Sequence, residues 1–70
     1  MTFEGADRLW LQAWNSTTEI RDLGDVPAGR YRIFAVFEAG SPSGAGEVTV
    51  RSGQTLHLVC LAGFARCKLN

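Results

Sequence analysis

The chain has 70 residues, 46% of them hydrophobic, and its seven Lys+Arg balance seven Asp+Glu to give a formal charge of zero. That length holds one domain, and the balance excludes the basic surplus of a nucleic-acid binder or a polybasic membrane-surface segment. A charged share of only 20% excludes a disordered chain, and no apolar run approaches the roughly 18 residues of a membrane span.

Taken in chain order, the elements are strands and turns. Arg8–Trp14 alternates, with Leu9, Leu11 and Ala13 on one side and Trp10, Gln12 and Trp14 on the other. Asn15-Ser16 reads as a turn and Thr18–Leu23 as a second, more polar strand. In Gly24–Gly29, Pro27 presets a turn and Gly29 leads back into a strand. Arg30–Glu38 is the clearest strand. Tyr31, Ile33, Ala35 and Phe37 share one face; Arg32, Phe34 and Val36 share the other.

Gly40–Gly46 reads as a flexible loop, because it carries no apolar side chain larger than Ala. Glu47–Arg51 follows as a short strand with Val48 and Val50 pointing the same way. Ser52-Gly53 turns the chain into Thr55–Leu61, where Leu56, Leu58 and Cys60 oppose His57, Val59 and Leu61. Ala65–Leu69 pairs back after a turn at Gly63. The expected fold is therefore all-β, a small antiparallel sandwich or meander of five to six short strands forming one domain over residues 1–70.

A chain this short buries only about 60% of its unfolded surface and commonly needs a staple or a partner. Cys60 and Cys67 are the candidate staple. A two-residue hairpin loop at Gly63-Phe64 pairs Ala62 with Ala65, Leu61 with Arg66 and Cys60 with Cys67. The thiols then face each other at a hydrogen-bonded pair, within reach of a disulfide; a longer loop shifts the pairing. Two buried free thiols are the alternative. A metal site from His57, Cys60 and Cys67 has only three ligands, and a strand sends His57 and Cys60 to opposite faces. No metal or cofactor is expected.

One histidine with no acid placed beside it by motif gives no catalytic constellation, and the glycines around Pro42 lack the Lys and helix of a phosphate cradle. No enzyme activity is expected. The aromatic residues say more. Leu9, Leu11, Tyr31, Ile33, Phe37, Val48, Val50, Leu56 and Leu58 suffice for one interior, leaving Trp10, Trp14, Phe34, Val36, Val59 and Leu61 on second faces. Such a surplus either caps an irregular core or forms a contact patch. As a patch, Trp10, Trp14, Arg32 and Phe34 are the expected contact residues, for a protein partner or a second copy of the chain. Exposed tryptophans also suit a glycan or a cell-envelope polymer, although neighbouring arginines favour protein.

The stretch Asp25-Val26-Pro27-Ala28-Gly29-Arg30-Tyr31-Arg32-Ile33, followed by Gly46-Glu47-Val48-Thr49-Val50-Arg51-Ser52-Gly53-Gln54-Thr55-Leu56, resembles the repeat unit of PEGA-type domains. It is also similar to carboxypeptidase-regulatory-like, transthyretin-like modules, and the closing Cys60…Phe64…Cys67 pattern resembles accessory domains appended to bacterial serine/threonine kinases. The resemblance implies a non-catalytic accessory β-domain used for protein interaction, envelope attachment or sensory-kinase architecture. In that setting Pro27, Gly29, Gly46 and Gly53 are scaffold positions. An excised domain of a larger parent is expected outside the cytoplasm with Cys60 and Cys67 oxidised; a complete gene product is expected in the cytoplasm with reduced thiols.

Overall fold

Alternation decides which side of each strand turns inward, and two sheets share the resulting interior. The computed structural model describes all 70 residues. Its strands are β1 (Thr2–Glu4), β2 (Arg8–Ala13), β3 (Glu19–Ile20), β4 (Gly29–Val36), β5 (Ser43–Val50), β6 (His57–Leu61) and β7 (Arg66–Leu69). They form a four-stranded sheet, β3-β2-β4-β5, and a three-stranded sheet, β1-β6-β7. The all-β sandwich expected from the sequence is the observed class. No helix is long and apolar enough to cross a membrane.

The interior follows the period-two pattern. Leu9 and Leu11 of β2, Tyr31, Ile33 and Ala35 of β4, and Val48 and Val50 of β5 are buried against Leu58, Cys60 and Cys67 of the other sheet. Leu11, Ile33 and Leu58 are the largest fully buried side chains. Tyr31 is buried along its ring while its Oη–H donates to the Pro27 carbonyl at 2.7 Å, which ties the Pro27 turn to β4.

Three expectations change. The Gly40–Gly46 loop is half strand, since β5 begins at Ser43. Its register against β4 shifts between Ile33 and Phe34: Gly46 pairs with Ile33 and Gly44 with Phe34, so Ala45 is the extra residue of a bulge. Ala45 is fully buried, and a Cβ at Gly46 would lie 3.3 Å from the Cys67 carbonyl oxygen. Small residues are strand residues here because β5 passes close to β7, a tertiary demand that overrides propensity.

The second change is β1, which makes seven strands in place of the expected five to six and runs parallel to β6 with Phe3 opposite Leu58. Three residues are too few to show a period. Besides the backbone ladder to β6, Phe3 packed on the core and the side chain of His57 hold them. The His57 Nδ1 lies 2.6 Å from Thr2 Oγ1 and its Nε2 lies 3.0 Å from Glu4 Oε1. Thirdly, the polar strand expected over Thr18–Leu23 shrinks to Glu19–Ile20.

The β6–β7 hairpin keeps the expected register, with Leu61 opposite Arg66 and Cys60 opposite Cys67, but not the expected turn. Gly63-Phe64 is not a two-residue loop. Ala62–Phe64 forms a 3-10 turn closed by Ala65 in the left-handed region at φ 50°. The longer loop moves the cysteines from a hydrogen-bonded to a non-hydrogen-bonded pair, where Cα atoms come closest. Their Cα atoms are 3.9 Å apart and the disulfide is formed.

Candidate functional site

The residues that alternate outward from the four-stranded sheet build a second, smaller apolar cluster outside the sandwich. β2 sends out Arg8, Trp10 and Gln12, and β4 sends out Arg30, Arg32, Phe34 and Val36. Register sets their neighbours: Arg8 lies opposite Val36, Trp10 opposite Phe34 and Gln12 opposite Arg32. The Trp10 and Phe34 rings stack with centroids 6.2 Å apart and 15° between planes. Trp14, just beyond β2, stays beside β4 because its N–H donates to the Arg30 carbonyl at 2.9 Å.

Guanidinium groups cover the indoles. Arg21 sits over the Trp10 ring at 4.4 Å, and Arg30 and Arg32 lie over the Trp14 ring at 3.8 and 4.7 Å. Such contacts contribute about 0.5–1 kcal/mol each at exposed sites. Two of the cations are also held by carboxylates, Arg21 by Glu19 at 3.0 Å and Arg30 by Glu47 at 2.9 Å. Arg8 and Arg32 have no carboxylate within ion-pair distance. The face therefore carries four arginines against Glu19, Glu47 and, at the Arg8 end, Asp7, a positive excess of one on a chain of zero formal charge.

Of the four expected contact residues, Trp14 and Phe34 are half-buried and Arg32 is exposed. Trp10 is only 8% exposed, yet it lies outside the central core cluster. It is the floor of the face and offers little contact area itself. Its indole N–H is sealed without an acceptor, a cost of about 1–3 kcal/mol that the stacking above and below must offset. Arg8 and Arg21 were missed by the sequence reading. Arg8 was legible, two residues before Trp10 on an alternating strand. Arg21 was not, because β3 is two residues long and shows no period.

Beside this cluster, Asp7, Arg8, Trp10, Arg21, Val36 and Pro42 line an open cleft of about 660 Å³. Its rim is a tight turn in which Glu38 and Ala39 both adopt left-handed backbone, at φ 52° and 58°. Asn and Gly ordinarily occupy such positions. The turn is held by Gly40 N–H donating to the Phe37 carbonyl and by Ala39 N–H donating to Asp7 Oδ2, each at 2.8 Å.

The remaining exposed apolar residues do not make a comparable face. Phe64 is 77% exposed at the hairpin tip, while Leu61 and Leu69 point to opposite sides of the three-stranded sheet. The residues weighed for a metal are also apart in chemistry. The cysteine sulfurs are bonded to each other, and His57 turns to the opposite side of β6, toward Thr2 and Glu4. No protein-family model matches the chain, and no curated protein or solved structure matches it.

Proposed function

We propose that this chain is a non-catalytic interaction module that docks a protein partner on the outer face of its four-stranded sheet. The observation that carries the reading is the Trp14–Arg32–Phe34 surface, half-buried aromatic rings interleaved with an arginine that has no carboxylate partner. Aromatic and arginine side chains of this kind are enriched where protein interfaces carry most of their energy. The carboxylates on the face, Glu19 and Glu47, are each taken up by an arginine.

Docking to another protein fits better than pairing of two copies through this face, because a two-fold contact sets one cationic surface against another. Docking also fits better than sugar stacking. Guanidinium groups already lie over the indole rings, and Trp10 has almost no exposed surface.

The test is photo-cross-linking in the native cell from a reactive amino acid placed at Thr49, an exposed residue opposite Arg30 that leaves the aromatic cluster intact. A discrete protein adduct is expected from Thr49, and none from the same label at Lys68 on the other sheet. No adduct at Thr49, or the same adduct from both sites, would refute the reading.

A further inference from the structure

Charge and register together specify the partner's chemistry. We infer, resting on the docking role above, that the face takes an extended acidic peptide segment, one whose two carboxylates four residues apart flank an apolar side chain. Arg8 and Arg32 are the two guanidiniums on the face with no carboxylate of their own. Arg32 lies opposite Gln12, so it stands four residues along β2 from Arg8. At ~3.4 Å per strand residue the two cations are roughly 14 Å apart along the sheet. Midway between them is the Trp10–Phe34 stack.

A partner strand repeats that geometry. In an extended segment, residues i, i+2 and i+4 share a side, so acid, apolar and acid residues meet Arg8, the aromatic stack and Arg32 in turn. At the Arg8 end, the open cleft gives the first carboxylate walls of Trp10, Val36 and Pro42, and the one acid that lines it, Asp7, has its Oδ2 taken up by the Ala39 N–H. Both termini of the contact are cationic and the centre is apolar.

The same face disfavours a polyanion such as a sulfated glycan. Glu19 and Glu47 sit on it, paired with Arg21 and Arg30, and would face a continuous run of negative charge. An acidic peptide has its charges at two points only and leaves those ion pairs intact.

The experiment is calorimetric titration of the disulfide-intact chain with short capped peptides containing Glu-Thr-Val-Thr-Glu, alongside the same peptide with Gln for Glu and a heparin-derived oligosaccharide. The Glu peptide is expected to bind about tenfold more tightly than the Gln peptide, and its affinity to fall about tenfold in Arg8→Gln/Arg32→Gln. Arg66→Gln/Lys68→Gln removes the same formal charge from the other sheet and should bind like the parent chain. Equal affinity for the Glu and Gln peptides overturns the inference, as does an equal loss in both double variants. So does tighter binding of the oligosaccharide, or no binding of the Glu peptide. None of these outcomes touches the cross-link from Thr49, which tests the docking role separately.

Discussion

Gly5→Ala is expected to be the most damaging single-methyl change in the chain. Gly5 joins β1 to β2 with φ at 89°, and a Cβ built there overlaps the backbone carbonyl of Cys60. Two costs therefore add. A non-glycine residue loses about 1–2 kcal/mol in left-handed backbone, and the β1–β2 connection must move off β6, loosening the Phe3–Leu58 contact. A domain of this size rarely holds more than about 3–5 kcal/mol, so a total near 3 kcal/mol removes most of it. The melting temperature should fall by about 15 °C. Gly53→Ala is the matched control. Its φ is 79°, but nothing lies within 4 Å of the added carbon, so only the backbone cost of about 1 kcal/mol applies. Thermal unfolding of both variants checks the account, which fails if Gly5→Ala loses no more than Gly53→Ala.

Removing the disulfide is the second large change. Cys60 and Cys67 are seven residues apart, and closing so short a loop restricts the unfolded chain by about 2.5 kcal/mol. Both residues are buried on the inner side of the three-stranded sheet, so Cys60→Ala/Cys67→Ala also loses sulfur packing beside Leu58. Urea unfolding should show a midpoint lowered in proportion to roughly half the domain's stability. The parent chain with reductant should follow the same curve. A midpoint that neither change moves would show that the hairpin holds without its staple. The bridge lies across the sandwich from the proposed docking face, so whatever fraction stays folded should keep any binding made there.

Much of this was legible in the residues, and the failures have definite causes. Alternation over Arg8–Trp14 and Arg30–Glu38 fixed both faces of the central strand pair, and with them the positions of Trp10, Phe34 and Arg32. The cysteine register was readable even though the turn was misread. Replacing the two-residue loop by Ala62–Ala65 adds one residue on each side, so the pairing is kept and only its hydrogen-bond type changes. Illegible were β1 and the start of β5, where three residues in one case and Gly-Ala-Gly in the other carry no pattern. Both are strands because of what they touch, His57 and Phe3's neighbours for β1 and the Cys67 backbone for β5. The burial of Trp10 could not be read either. Arg21 lies over the ring from the residue after β3, a strand too short to announce its register.

The outer aromatic cluster is held to serve contact rather than fold, and the most direct measurement separates the two. The partner identified from the Thr49 adduct should be titrated against Trp14→Ala/Phe34→Ala, with the urea midpoint of the same variant measured in parallel. Both side chains are half-buried and outside the central core, so the variant should remain folded while affinity falls about a hundredfold. Binding equal to that of the parent chain, or a loss of binding that merely tracks unfolding, would contradict the account.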